Sequence, residues 1–214
     1  MTRHKPKVLF VDDEPAVIAG LKLTHGKHYD VRLAKSGGEA LGLLERYPDM
    51  AVVVSDMRMP EMDGATFLAK VREQAPDAVR LLLTGHADME AAARAVNEGR
   101  IFRFLTKPCD ANDMGLALAA AVQMHELVIA EKVLLQKTLV GSVKVVMSVL
   151  GLTNPEALGR AVRIKDKAHV AAQGLGPERR WVVEFAAMFS QIATAALPED
   201  TVRKLYSGGR LSTA

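Results

Sequence analysis

The sequence predicts an α/β protein with a parallel sheet covered by helices on both faces. Three observations carry this. Short strand-like segments recur five times between residues 8 and 105, each stops at polar or charged residues, and each gives way to helical spacing. Runs of four to six apolar residues suit buried strands and are too short for ordinary helices. Strict strand–helix alternation argues for a doubly wound parallel sheet, and right-handed crossovers leave few other arrangements.

The first run, Val8-Leu-Phe-Val11, ends in Asp12-Asp13-Glu14. Pro15 then sits at a favourable first helical position, with Val17, Ile18 and Leu21 on one face. Tyr29 to Ala34 alternates as a strand does, and Ser36 can cap a helix carrying Ala40, Leu43 and Leu44. Ala51–Val54 is the third run and ends at Ser55-Asp56. Pro60, Asp63 and Gly64 form a loop into a helix with Phe67, Leu68 and Val71 inward. Val79–Leu83 ends at Thr84-Gly85, and Asp88 is expected to cap a helix through Val96. Ile101–Leu105 ends at Thr106-Lys107-Pro108, and the next helix starts near Asp110.

In such sheets ligands bind beyond the carboxyl ends of the strands. Asp12, Asp13, Asp56, Thr84 and Lys107 all fall there. Carboxylates brought together repel and need compensation. A hard divalent cation such as magnesium supplies it, and takes phosphate oxygens as well. Lys107 adds a positive charge, while the Thr84 hydroxyl and Gly85 amide can donate to phosphoryl oxygens. A carboxylate is also a nucleophile able to form an acyl phosphate. Together the parts suggest an aspartate phosphorylated by a donor bound elsewhere, with a metal offsetting charge.

Val11-Asp-Asp13, Ser55-Asp56 with Met59-Pro60 and Met62-Asp-Gly64, Leu83-Thr-Gly85, and Phe104-Leu-Thr-Lys-Pro108 stand in that order. In this the chain resembles the receiver domain of two-component response regulators over about residues 5–125. The resemblance implies a flavodoxin-like (βα)5 fold with Asp56 as phosphoacceptor. It implies Mg2+ or Mn2+ held by Asp13 directly, Asp12 through water, Asp56 and the Arg58 carbonyl. Thr84 and Phe104 would be the switch residues, Lys107 would pair with the phosphoryl group, and Lys107-Pro108 would be cis. Arg58 and His86, each two residues past Asp56 and Thr84, can flank the path of an attacking water and are expected to tune autodephosphorylation. The implied donor is a histidine kinase or phosphotransfer protein.

Bulk composition agrees with a soluble chain: 49% hydrophobic, 25% charged, net charge +3. The single cysteine, Cys109, excludes an internal disulfide framework and fits a reducing cytoplasm. No apolar run approaches a membrane span, and the basic Met1–Lys7 leads into a strand rather than a signal peptide. Charge divides unevenly. Residues 1–141 hold 18 Lys+Arg against 19 Asp+Glu, and residues 142–214 hold 10 against 6, too weak an excess to imply nucleic acid.

Helical spacing does not stop where a compact receiver would. Ala117–Leu139 has neither Gly nor Pro and suggests a signalling helix, over residues 113–141, that pairs with its copy in a homodimer. Met124, Leu127 and Leu134 fit a heptad, but Glu131 and Thr138 interrupt it. Gly141-Ser142 is expected to break the helix and cap a fresh one from Val143 to Leu150. Asn154-Pro155-Glu156 opens another, ending near Gly174 and Gly176. Pro177-Glu178 opens the next, with a core stripe of Trp181, Val182, Phe185, Ala186 and Phe189. Pro198 starts a last helix that Gly208-Gly209 ends.

Trp181-Val-Val-Glu-Phe-Ala-Ala-Met-Phe-Ser-Gln-Ile192 followed by Ala196-Leu-Pro198 resembles the stretch carrying the His-Asp pair of HD-GYP domains. Those domains hydrolyse cyclic di-GMP. Here Ser190 and Gln191 replace the pair, and residues 142–214 offer only His169 with scattered carboxylates. Residues 142–214 are therefore expected to form a small all-α output module without catalytic metal ligands, read by a protein partner. Two rival readings differ in class. One is a cyclic di-GMP phosphodiesterase with ligands beyond Ala214. The other is a DNA-binding regulator using the stripe Arg160, Arg163 and Lys167.

Overall fold

The computed structural model describes residues 5–97, 100–192, 197 and 199–208. It divides into two compact units, Met1–Lys132 and Val133–Ala214. In the first, β1 (Lys7–Val11), β2 (Asp30–Ala34), β3 (Met50–Asp56), β4 (Val79–Thr84) and β5 (Arg103–Thr106) form one parallel sheet in the order β2-β1-β3-β4-β5. Between them run α1 (Pro15–His25), α2 (Gly37–Arg46), α3 (Gly64–Gln74) and α4 (Met89–Asn97), and α5 (Ala111–Thr153) follows β5. This is the parallel sheet that the alternation predicts, in the flavodoxin-like form that the resemblance implies.

The central strand explains the two layers. All seven residues of β3 are buried, and successive side chains go to opposite faces. Val53 joins Leu9, Val11, Phe67, Leu68 and Leu82 beneath α2, α3 and α4. Val52 and Val54 join Val8, Phe10, Leu81 and Leu83 beneath α1 and α5. From α5 the contributions are Met114, Ala117, Leu118 and Ala121, spaced as one helical stripe.

Local signals hold at most helix starts. Ser36 Oγ accepts from the Glu39 amide at 3.2 Å, while Glu39 reaches back to the Lys35 amide at 2.8 Å. Asp63, Asp110 and Asn154 each accept from an amide three residues on, at 2.7, 2.7 and 2.9 Å. β5 starts later than its apolar run. Ile101 is buried yet outside the ladder, and Phe102 makes the first approach, donating to the Arg80 carbonyl at 2.8 Å.

α5 corrects the expected break at Gly141-Ser142: it continues unbroken to Thr153. Ser142 does not cap, because its hydroxyl donates to the Thr138 carbonyl at 3.0 Å inside the helix. One glycine costs a helix only about 1 kcal/mol against alanine, too little to stop a run of strong helix formers. Within the first unit α5 is pinned at the far end of the sheet: His125 Nδ1 lies 2.8 Å from the Asp77 carbonyl, and Lys132 Nζ 2.6 Å from the Asp77 carboxylate.

In the second unit α6 (Pro155–Ala171) and α7 (Pro177–Phe189) pack with the end of α5, and α8 (Glu199–Ser207) follows. Val143, Met147, Ala157 and Ala161 are its buried centre, with Leu158, Phe185, Met188, Phe189 and Ile192 against them. The α7 stripe is shifted from the expected one. Val182 is 54% exposed and Ala186 is exposed, because the inward face runs through Phe185, Met188 and Ile192. Arg160 is turned in toward Glu156 at 3.5 Å, which leaves the basic stripe to Arg163 and Lys167. Among the described residues no helix is long and apolar enough to cross a membrane. Met1–His4, Ala196, Pro198 and Gly209 lie outside the described residues.

Two predictions follow from the packing. A Cβ at Gly141 meets nothing within 4 Å, so Gly141→Ala should raise stability by about 0.5–1 kcal/mol in chemical denaturation, where a true break would make it destabilising. His25, closing α1, is buried beside Phe10 with Nε2 unpartnered. Burial, then the charge of His28, lowers its pKa below the usual 6.5. The unfolded chain therefore takes up this proton first as pH falls, and stability should drop below about pH 6.5. His25→Leu should flatten that slope in urea titrations on either side of this pH.

Candidate functional site

Backbone pairing brings four strand ends to one edge. Val11 lies opposite Ser55, Asp56 opposite Leu83, and Thr84 opposite Thr106. The chain is then held just past each end: the Met57 amide donates to Leu83 at 2.8 Å, and the Lys107 amide to Thr84 at 2.8 Å. The Lys107-Pro108 bond is cis. Gly64 lets the loop after β3 close. Its amide donates to the Met57 carbonyl at 2.9 Å, and a Cβ there would lie 2.0 Å from the Asp56 carbonyl oxygen.

Lys107 joins the carboxylates. Its Nζ is 2.9 Å from Asp12 Oδ2 and 2.5 Å from Asp56 Oδ1. Asp12 is 2% exposed and Asp56 7%, so each needs its remaining oxygen satisfied. Asp12 Oδ1 accepts from the Glu14 amide at 2.9 Å, and Asp56 Oδ2 from the Arg58 amide at 3.0 Å. Burial is the largest single influence on the Lys107 ammonium and opposes its charge. The hydrogen bonds to Asp56 and Asp12, with their charges, outweigh it and leave the pKa raised above 10.5.

The other sequence-derived residues are placed as follows. Asp13 is exposed at the turn after β1, outside the Lys107 pairing. Thr84 is fully buried, its hydroxyl donating to the Gly85 carbonyl at 3.2 Å. Phe104 is half-buried against the core beneath α2, α3 and α4. His86 is exposed and opens the 3-10 turn His86–Asp88. Asp88 is not the helix cap expected. Its carboxylate takes the Arg58 guanidinium in a fork, Nε to Oδ2 at 2.7 Å and Nη2 to Oδ1 at 3.2 Å. Thirty residues separate these partners, so no local spacing reveals the pair; the close approach at Gly64 was signalled only by the glycine itself.

The potential metal donors, the Asp12, Asp13 and Asp56 carboxylates and the Arg58 carbonyl, are all hard oxygens, a set that suits Mg2+ or Mn2+. Among the described residues no three acidic, histidine or cysteine side chains gather closely enough to hold an ion. Asp12 and Asp56 are instead drawn together by Lys107.

A family model described as response regulator receiver domain matches residues 8–119. The chain belongs to that family. The transcriptional regulatory protein GlrR of Escherichia coli K12 is 38% identical over 123 residues, which is 56% of this chain and 27% of GlrR. The chain thus spans about a quarter of such a relative's length. A solved structure described as adenylate cyclase from Rhodopirellula baltica matches at TM-score 0.61 and 38% identity, covering 62% of this chain and 98% of that one. The signal receiver domain of an HD domain-containing protein from Pseudomonas fluorescens Pf-5 matches at TM-score 0.54 and 34% identity, covering 59% and 93%.

Lys107 is the groups' shared counter-charge in this receiver, so Lys107→Met should destabilise it. Leaving two buried carboxylates with their cation removed costs roughly 1–3 kcal/mol, reduced from a fully buried pair because the lysine side chain is 33% exposed. Urea denaturation at neutral pH measures it.

Proposed function

We propose that this chain is a two-component response regulator phosphorylated on Asp56. The observation that carries this is the meeting of Asp12, Asp56 and Lys107, from three strand ends, within 2.9 Å. An Asp56 oxygen would attack the phosphorus of a partner's phosphohistidine. The new O–P bond forms as the P–N bond breaks, and the departing imidazole takes a proton. Asp12, Asp13, Asp56 and the Arg58 carbonyl would hold Mg2+ or Mn2+, which offsets charge on the phosphoryl oxygens. Lys107, already on Asp56 Oδ1, would move to a phosphoryl oxygen. Thr84 would exchange its long bond to the Gly85 carbonyl for the phosphoryl group, and Phe104 would turn toward the space it leaves. Arg58 and His86, at the mouth of the site, would set how fast water removes the phosphoryl group. These roles fit a cytoplasmic protein.

Residues 142–214 we read as an HD-GYP-like output module that binds a protein partner rather than hydrolysing cyclic di-GMP. Ser190, in place of the metal-binding His, spends its hydroxyl on the Ala187 carbonyl at 2.7 Å, and Gln191 donates to Ser190 at 3.4 Å. His169 is paired with Glu184 at 2.7 Å. The likeness to the receiver of an HD domain-containing protein supports this reading. Leu127 and Leu134 on α5 are well exposed, which supports a homodimer formed along that helix.

Incubation with acetyl phosphate and Mg2+ tests the acceptor. Wild type should gain one phosphoryl group by intact mass, and Asp56→Asn should gain none. Asp13→Asn should slow labelling on the order of tenfold or more. Equal labelling of Asp56→Asn would assign the chemistry to another residue. Oligomer size, read on the same samples, tests the pairing of α5.

A further inference from the structure

Arg58 is bonded at both ends. Its backbone amide donates to Asp56 Oδ2 at 3.0 Å, and its guanidinium forks onto Asp88 at 2.7 and 3.2 Å. The first bond belongs to the loop after β3, and the second reaches the turn that leads into α4. The pair therefore ties together two loops across the mouth of the site. The Arg58 side chain is 71% exposed and the Asp88 side chain 23%, so geometry rather than burial holds the bond. An exposed pair of this kind is weak and readily exchanged.

We propose that Asp88 is a positioning residue that holds the Arg58 guanidinium away from Asp56, and that a phosphoryl group on Asp56 takes the guanidinium over and unties the turn that leads into α4. This rests on the reading of Asp56 as phosphoacceptor. A phosphoryl group carries about −1.5 to −2 charges near neutral pH, against one on Asp88. Its oxygens accept the same two-pronged donation that a carboxylate does. The Arg58 backbone is already fixed on Asp56, so the exchange needs only rotation of one exposed side chain. Asp88 and the phosphoryl group thus compete for a single cation. When the phosphoryl group wins, the guanidinium covers the acyl phosphate against water and the tie to α4 is lost. When Asp88 wins, the acyl phosphate stands open to attack. Asp88 therefore shortens the life of the phosphorylated state and couples that life to α4.

The test is the half-life of the phosphorylated full chain after removal of acetyl phosphate, with Mg2+ present throughout. It compares wild type, Asp88→Asn, Asp88→Glu, Arg58→Ala and the double variant Arg58→Ala/Asp88→Asn. Asp88→Asn should lengthen the half-life roughly two- to fivefold, the shift available from releasing an exposed pair. Asp88→Glu, which keeps the carboxylate, should stay near wild type. In the Arg58→Ala background the Asp88 substitution should change nothing. A half-life unchanged or shortened in Asp88→Asn, or an equal lengthening without Arg58, overturns the proposal and leaves Asp56 as acceptor. A wild-type chain that takes up no phosphoryl group removes the underlying reading and this proposal with it.

Discussion

One ammonium group holds the carboxyl edge of the sheet together. Asp12 and Asp56 sit at the ends of neighbouring strands, both nearly removed from water, where like charges would otherwise push them apart or force a proton onto one. Lys107 reaches them from β5, two strands from β3, so the carboxylates keep their place only if β1, β3, β4 and β5 are all in register. The sheet is thus a condition for the site as well as its scaffold. The dependence also runs the other way. A buried ion triad adds little net stability, because desolvation offsets most of the attraction. What it supplies is intolerance of misplacement: a slip of one residue in β3 would send Asp56 into an apolar layer and leave the lysine with one partner.

The backbone around Asp56 is built to the same tolerance. Gly64 approaches the Asp56 carbonyl closely enough that no side chain fits, and its amide pulls the loop onto Met57. Asp63, one residue earlier, caps α3 through Thr66. The start of α3 and the position of Asp56 are therefore fixed by adjacent residues.

Sequence reasoning reached what periodicity and strand ends can express. β3 was legible because seven buried residues leave an apolar run, and the meeting of Asp12, Asp56 and Lys107 was legible because parallel connection forces strand ends to one edge. Asp88 was not. As a carboxylate ahead of a helix it carries the mark of a cap, and only the fold brings Arg58 within reach. Gly141 misled for the opposite reason: a residue that weakens helices stands in one long enough to absorb the cost. In α7, Val182 and Ala186 sit at the margin of the apolar stripe. Small differences in helix facing decide such positions, and tertiary packing sets the facing.

The edge at Asp56 has more than one route to the rest of the receiver, and the routes differ in packing. β4 runs from Thr84 back through Leu83 and Leu81 into the layer shared with α5, a packed path with no loose joint. α5 itself is tied at the opposite end of the sheet through His125 and Lys132 to Asp77. That anchoring ties about the first six turns of α5, through Lys132, to the sheet. The route into α4 is softer. Only Ala92 and Ala95 from that helix are fully buried, and its leading turn is held by an exposed ion pair. Exchange of one counter-ion is a small free-energy change, of the size that shifts a helix with few buried anchors and leaves a fully packed one still. α4 is therefore the element of this receiver that a charge placed on Asp56 can most readily displace.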